Sequence, residues 1–213
     1  MTDNANQYRM ALRAPVRALW KGVFDYDQAF AGVEDAIRVY FPRAWNEGAK
    51  ECGVLPSELT PEERTAQRTA TFKEYGFIDG LLTAVERGSP AWYDKPPHNL
   101  EEPEGGGKLA PLFSRVERWV GRYNDLRNQA KLMACKDQKL EWVLGRQVKK
   151  HCNSCIKLAG VIKRASYWQK HDVRPQHPTK LECMISAGGV SVCGCEFRKT
   201  DLHCTPGPLP KLP

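Results

Sequence analysis

The sequence predicts a mainly α protein, with a helical N-terminal domain and a small Cys-rich, zinc-knuckle-like α+β C-terminal module. Apolar residues recur at helical spacing through the first two-thirds of the chain. Six of the eight cysteines follow residue 150, in a segment with few large aliphatic side chains. Such a segment cannot bury enough apolar surface to fold by itself, so it needs a metal ion or disulfides to hold it together. We therefore expect a helical domain at 1–135, a Cys-rich basic module at 136–204 and an extended proline-rich tail at 205–213.

Length and composition limit the class of protein. The 213 residues are 41% hydrophobic and 27% charged, which is typical of a globular protein and excludes wholesale disorder. No run approaches the roughly 20 apolar residues of a membrane helix, and the N-terminus lacks an apolar signal segment. We expect a protein made and kept in a cytoplasm, where cysteines favour metal binding or free thiols over disulfides.

The first long helix is predicted from about Asp25 to Gly53. Pro42 interrupts its apolar stripe and is expected to kink the helix or split it in two. Gly53 is the expected end, because glycine accepts the left-handed conformation that ends helices. The stripe has spacings of three and four and consists of Phe30, Val33, Ile37, Tyr40, Phe41, Ala44 and Trp45.

The clearest helix start lies at Thr60-Pro61-Glu62-Glu63. It combines an N-cap hydroxyl, a proline at the first helical position and a glutamate three residues after the cap. We expect this helix to run to about Arg87, with Gly76 and Gly80 weakening it or permitting close packing. The residues expected to be buried are Phe72, Tyr75, Leu82 and Val85.

A long loop and a third helix complete the predicted helical domain. Prolines, glutamates and a triple glycine between about 88 and 110 predict an exposed, flexible loop. The helical stripe that follows is aromatic-rich, and its regular period favours core packing over base stacking. The stripe consists of Leu112, Phe113, Val116, Trp119, Val120, Tyr123, Leu126, Ala130 and Met133. The next short apolar run, 140–145, is compatible with a β-strand.

The cysteines of the last third predict a structural metal site. Cys152 and Cys155 form a C-x2-C pair, and two thiolates at this spacing can chelate one zinc ion from a tight turn. Zinc binding of this type contributes on the order of 10 kcal/mol to folding. Disulfides and inert buried thiols are the alternatives. The candidate ligands are Cys152, Cys155, Cys183, Cys193 and Cys195.

Other cysteines and histidines rank lower as ligands. Cys204 lies at the edge of the proline-rich tail, and His151 and His203 each adjoin a cysteine. Cys52 and Cys135 fall in helical segments, where we expect ordinary small apolar residues. A catalytic zinc site typically has histidine ligands and a nearby glutamate base, and neither H-E-x-x-H nor H-x-E occurs. We therefore expect structural zinc and no enzymatic activity.

The basic charge is concentrated in the same module. The net charge of the chain is +7, yet residues 136–213 carry 14 Lys or Arg and 6 Asp or Glu, a net of +8. Such a segment attracts polyanions through counterion release, although a merely solubilising surface is an equal alternative. The candidate nucleic-acid contacts are Lys149, Lys150, Lys157, Lys163, Arg164 and Lys170.

Taken in order, these motifs resemble those of the minor head, or head-morphogenesis, proteins of tailed bacteriophages. The N-terminal part of the resemblance is Ala44-Trp45-x-x-Gly48, Gly53 and the Thr-Pro-Glu-Glu helix start. The more specific part is Trp142-x-x-Gly145, His151-Cys152-x-x-Cys155-x-x-Leu158-Ala-Gly160, Trp168, Pro175, Leu181-x-Cys183 and Cys193-Gly-Cys195. Where the family often has a histidine ahead of the final C-x-C, Val190 stands here, and Cys183 is the candidate for that ligand place.

The resemblance implies a non-enzymatic virion component in the head or portal region, assembled in the host cytoplasm. Such a protein would aid head assembly, DNA packaging or DNA ejection. The implied partners are the portal protein, the major capsid or scaffolding protein and packaged double-stranded DNA, with several copies or a homo-oligomer per virion and no membrane. A zinc-supported nuclease and a DNA-binding regulatory protein remain the alternatives.

Overall fold

Helices form most of the protein, which confirms the predicted fold class at that level. The structure, a computed structural model, describes residues 3–95, 107–145, 151–177, 181 and 194–212. Its helices are α1 Asp3–Trp20, α2 Tyr26–Glu51, α3 Pro61–Tyr75, α4 Ile78–Arg87, α5 Pro90–Tyr93, α6 Leu109–Ala134, α7 Asn153–Leu158 and α8 Ala165–Lys170. Its strands are β1 Lys139–Val143, β2 Ile162–Arg164 and β3 Glu196–Lys199. No helix among the described residues is long and apolar enough to cross a membrane.

The chain divides into two compact units, each made of two segments. Unit 1 contains residues 1–40 and 69–120, and unit 2 contains residues 41–68 and 121–213. Helical segments therefore belong to the same unit as the Cys-rich sequence. This division does not show which parts of the chain fold independently. The predicted domain boundaries at 135 and 204 therefore stay predictions.

In unit 1, the apolar face of α1 packs against α4. This helix was not predicted separately, although its buried residues recur at spacings of three and four. Glu117 is buried and accepts hydrogen bonds from Arg9 and Arg13, at 2.9 and 2.8 Å respectively. The buried residues of these two helices are Ala5, Tyr8, Leu12, Pro15, Val16, Leu19, Ile78, Leu81, Leu82, Ala84 and Val85.

Helix α2 is continuous through Pro42, so the predicted split is wrong. Phe41 and Trp45 flank the proline and are 1% and 0% exposed, so burial holds the chain helical on both sides. The expected end is confirmed. Gly53 has φ +83°, and its N–H donates to the carbonyl of Lys50.

Helix α3 starts as predicted but ends earlier. Thr60 and Glu63 exchange backbone-to-side-chain hydrogen bonds of 2.7 and 3.2 Å, which is a capping box. The helix ends at Tyr75, where Gly76 interrupts it before α4 begins. The predicted burial of Leu82 and Val85 is confirmed, whereas that of Phe72 is wrong, because this side chain is 73% exposed.

The segment after α4 is partly ordered. Ser89 caps the short helix α5 by accepting a hydrogen bond from the N–H of Trp92, so the predicted loop is wrong for 90–93. Residues 96–106, about half of the predicted loop, lie outside the described residues, and α6 already begins at Leu109. The third predicted helix is confirmed as α6, and most of its apolar stripe is buried.

In unit 2, a three-stranded antiparallel sheet with the order β2-β1-β3 follows α6. Leu140 pairs with Lys163 of β2 and with Lys199 of β3. On one side of this sheet Trp142, Trp168 and Phe197 are all 0% exposed, with ring centroids 5.2–5.7 Å apart. The module therefore has an aromatic core of its own.

The proline-rich tail is tied to β2. Thr205 donates its N–H to the carbonyl of Ile162 and accepts the Ile162 N–H on its hydroxyl, at 2.8 and 2.9 Å. Lys163 donates to the carbonyls of Thr205 and Gly207 at 2.6 and 2.5 Å. As expected, the described tail has no buried residue.

Candidate functional site

The C-x2-C pair lies at the start of α7. Cys152 is the N-cap of α7, and its Sγ accepts the N–H of Cys155 at 3.4 Å. The Cys155 side chain is 0% exposed. Gly160 then takes φ +74° and donates its N–H to the carbonyl of Trp142, which returns the chain to the sheet. Two cysteines at this spacing are typical ligands of a structural zinc site.

Cys195 reaches the same region from the other end of the module. It immediately precedes β3, is 1% exposed, and its Sγ lies 3.8 Å from Nδ1 of His151. The structure therefore places one residue of the C-x-C motif next to the residue that precedes the C-x2-C pair.

A buried pair of amides holds the backbone around Cys195. Gln176 donates to the Cys195 carbonyl at 2.7 Å and accepts from Asn128 at 3.0 Å. Asn128 also accepts the N–H of Phe197 at 2.9 Å. Gln176 has φ +61°, a conformation that costs a non-glycine residue energy, and it is 1% exposed. Sequence inspection missed both amides, because nothing marks them out before the fold brings them together.

The predicted zinc site remains a prediction. Cys183 and Cys193 lie outside the described residues. Across the described part of the chain, no group of three or more His, Cys, Asp or Glu residues is arranged to hold a metal ion. The donor chemistry of Cys152, Cys155 and Cys195 suits zinc, and these side chains come from both ends of the module. His203 and Cys204 are exposed, and Cys204 lines a separate cavity.

Cys52 and Cys135 form a disulfide, so treating them as ordinary small apolar residues was wrong. Their Cα atoms are 4.9 Å apart, at the ends of α2 and α6. The helices come close because Gly48 faces Arg127: a Cβ on Gly48 would lie 2.2 Å from the Arg127 carbonyl oxygen. A glycine one helical turn before a cysteine was the available sequence signal.

A buried cation links α2, α6 and β3. Lys131 is 1% exposed and donates to the Phe197 carbonyl at 2.6 Å, and its Nζ lies 2.5 Å from a Glu51 oxygen. Arg127 bonds Glu51 and, at 3.0 Å, Glu196. Burial and the charge of Arg127 lower the pKa of Lys131, against the opposing effect of Glu51 and Glu196.

The six predicted nucleic-acid contacts have different surroundings. Lys149 and Lys150 lie outside the described residues. Lys157 bonds the tail carbonyl of Lys211 at 3.2 Å, and Lys163 is 6% exposed and bound to tail carbonyls. Lys163 thus has a structural role in the fold. The two other candidates, Arg164 and Lys170, are exposed.

One cavity brings three of these residues together. It has a volume of about 460 Å³ and lies beside β2 and α8. Besides cationic groups it presents an aromatic ring, two hydroxyl groups and a thiol. Its lining residues are Lys163, Arg164, Ser166, Tyr167, Lys170, Cys204 and Thr205.

His177 directly follows Gln176 in the sequence and is also buried. Its Nε2 lies 3.3 Å from Asp172, whose neighbour in space is Arg174. Burial and the charge of Arg174 lower the pKa of His177, and Asp172 and Asp125 oppose this. The lowered pKa favours the neutral form of the His177 imidazole.

Comparison with known proteins adds no relative: no family model, no curated protein and no solved structure matches this chain.

Proposed function

We propose that this chain is a minor head, or head-morphogenesis, protein of a tailed bacteriophage: a non-enzymatic virion component that associates with the portal or inner capsid. It aids head assembly, DNA packaging or DNA ejection. In this proposal unit 1 docks on protein partners, and the basic Cys-rich module of unit 2 meets packaged double-stranded DNA or neighbouring copies.

One observation carries the proposal. The described residues of the more specific part of the resemblance lie between Trp142 and Cys195, and several of them are buried in unit 2, where the rings of Trp142 and Trp168 have centroids 5.7 Å apart. Trp142, Cys155, Leu158 and Trp168 are 0% exposed, and Cys195 is 1% exposed. If the motif residues pack in the same core, a change at one of them would disturb the others, and the motifs would therefore occur together in a family. This convergence supports the resemblance at its more specific part.

The zinc-knuckle-like character of this module belongs to the same proposal. Cys152, Cys155 and Cys195 would hold the ion, together with Cys183 or Cys193. Bound zinc would cross-link the α7 turn to the strand β3 that closes the sheet, and it would supply no reaction chemistry. A closed, four-coordinate site of this kind is structural.

Exposed aromatic side chains support protein docking by unit 1. Phe72 and Phe77 flank the turn between α3 and α4 and are 73% and 51% exposed. Aromatic residues are enriched at protein interfaces, where a few of them carry most of the binding energy. In this proposal the exposed pair contacts the portal.

Mass spectrometry of purified particles from the phage or prophage that encodes this chain tests the proposal. We expect the chain to be found with the portal protein, and we expect the recombinant protein to leave plasmid DNA intact in Mg²⁺ or Mn²⁺. Absence from particles and procapsids, or cleavage lost on substitution of one histidine, would overturn it.

Co-expression with the portal protein tests the docking surface. We expect the chain to co-purify with the portal, and the Phe72→Ser/Phe77→Ser variant to lose this association while it keeps its thermal stability. Met10→Ser is the control, because this exposed apolar residue lies on a different helix. If the double variant co-purifies like the unaltered chain, the docking surface is not at this turn.

A further inference from the structure

The cavity of unit 2 has a mixed lining. Contacts to duplex phosphates come from cationic, hydroxyl, amide and backbone N–H groups, and they do not involve the faces of the bases. Here the 460 Å³ cavity adds the ring of Tyr167 and the thiol of Cys204 to the cationic groups. A volume of this size lies within the range of small-ligand sites.

The aromatic wall is fixed in place by its neighbours. The ammonium of Lys163 lies 5.0 Å from the Tyr167 ring centroid, and the His171 ring centroid lies 4.4 Å from it. Lys163 is in turn anchored by the tail carbonyls of Thr205 and Gly207. The wall is therefore pre-organised, which reduces the entropy lost when a ligand binds.

The cationic part of the lining is available at the surface. Arg164 is exposed and donates to the Asp137 carbonyl at 3.0 Å, with the Asp137 carboxylate 3.7 Å away. Asp137 also accepts the hydroxyl of Ser166 at 2.8 Å. Lys170 is exposed at the end of α8. Two exposed cations beside a ring can hold a phosphate while a flat apolar group lies against the ring.

A nucleotide has both parts, an anionic phosphate and a base with a π-face. Bases in a duplex are stacked and paired, so only an unpaired nucleotide can put its base into a concave site. We infer that this cavity binds one unpaired nucleotide at a single-stranded segment or end of DNA, with its phosphate on Arg164 and Lys170 and its base against Tyr167. This rests on the proposed contact with DNA and names the form of DNA that is recognised.

Fluorescence anisotropy with the full chain tests this inference. The probes are a labelled oligothymidylate and a labelled, covalently closed circular duplex, which has neither unpaired nucleotides nor ends, each measured at the same series of salt concentrations. We expect tighter binding to the oligothymidylate. Tyr167→Ala is expected to weaken that binding about tenfold, and Tyr167→Phe, which keeps the ring, to leave it unchanged.

Three charge variants locate the phosphate. Lys170→Ala is expected to weaken binding and to reduce its salt dependence by about one released counterion, whereas Lys157→Ala, outside the cavity, is expected to change the oligothymidylate preference little. Asp137→Asn keeps the acceptor for Ser166 but removes the charge beside Arg164, so it is expected to tighten binding severalfold.

Equal affinity for both probes, or equal binding by Tyr167→Ala and Tyr167→Phe, would overturn the inference. Thermal melting of each variant shows that it is folded. This outcome can be told apart from failure of the proposed function. If the chain is present in particles but binds the closed duplex as tightly as the single strand, only this inference is wrong.

Discussion

Lys131 shows how a single residue joins separate segments of unit 2. Its ammonium is 1% exposed and contacts Glu51 of α2 and the Phe197 carbonyl of β3. A buried charge is tolerated only when its partners are close and complete. The sequence offers no signal for it, because lysine in an amphipathic helix is most often a solvated residue.

Replacing Lys131 with methionine tests this role. Lys131→Met keeps the length of the side chain but leaves the Phe197 carbonyl without its donor and Glu51 without one cation. We expect a loss of about 2 kcal/mol in the free energy of unfolding, measured by urea denaturation. Lys73→Met, on the exposed side of α3, serves as the control and should change it by less than about 0.5 kcal/mol. Equal effects of the two substitutions would contradict the role of Lys131.

His177 makes the stability of unit 2 depend on pH. Its pKa is lowered in the fold, so the unfolded chain binds the proton more readily. Above the unfolded pKa of about 6.5, His177 is neutral in both states and costs the fold no stability. As the pH falls from there toward the folded pKa, the unfolded chain takes up the proton first, so the free energy of unfolding decreases. We expect the melting temperature of the original chain to drop between pH 7.5 and pH 5.5, and that of the His177→Gln variant to drop by less. A variant with the same pH profile as the original chain would show that His177 does not cause the effect.

At the scale of elements, α2 and α6 approach each other closely in unit 2. A Cβ on Gly48 would lie 2.2 Å from the Arg127 carbonyl oxygen and 2.9 Å from the Ala130 Cβ. Neither atom can move without separating the helices. Cys52 lies one turn further along α2, which brings it within disulfide distance of Cys135.

A pair of glycine substitutions tests this contact. Gly48→Ala is expected to destabilise the protein by about 2 kcal/mol or more, because the added methyl group forces the helices apart. Gly80→Ala meets nothing within 4 Å in α4 and is expected to stabilise it by about 0.5–1 kcal/mol through better helix propensity. Urea denaturation measures both. A Gly48→Ala variant as stable as Gly80→Ala would mean that the helices tolerate a wider spacing.

Local signals explain which elements the sequence could predict. The Thr60–Glu63 capping box and the Gly53 end depend on neighbouring residues alone, and both were predictable. The exposure of Phe72, the disulfide and the Gln176–Asn128 pair depend on which distant segments meet. The same holds for the candidate site. The C-x2-C motif could be recognised from neighbouring residues, whereas the approach of Cys195 to His151 depends on the pairing of β3 with β1.

At the scale of the whole molecule, the main question is how the last third keeps its shape. The expectation that it lacks a core was incomplete, because Trp142, Trp168 and Phe197 pack together behind the sheet. Strand β3 nevertheless has only four residues, and the polar groups of Asn128, Gln176 and Lys131 hold it from one side. The proposed zinc would add a second anchor at Cys195, where the Gln176 amide already binds the backbone carbonyl.

Removal of metal distinguishes these two sources of stability. If zinc binds as proposed, metal analysis of protein purified without chelator gives about one zinc per chain. Exhaustive chelation should then shift the fluorescence of Trp142 and Trp168 toward that of exposed indole and lower the melting temperature, because the ion no longer joins the α7 turn to β3. Restoring zinc should reverse both changes, and magnesium should not. A chain that never contains zinc, and whose melting is the same before and after chelation, would leave the aromatic core and the buried polar groups as sufficient for the fold.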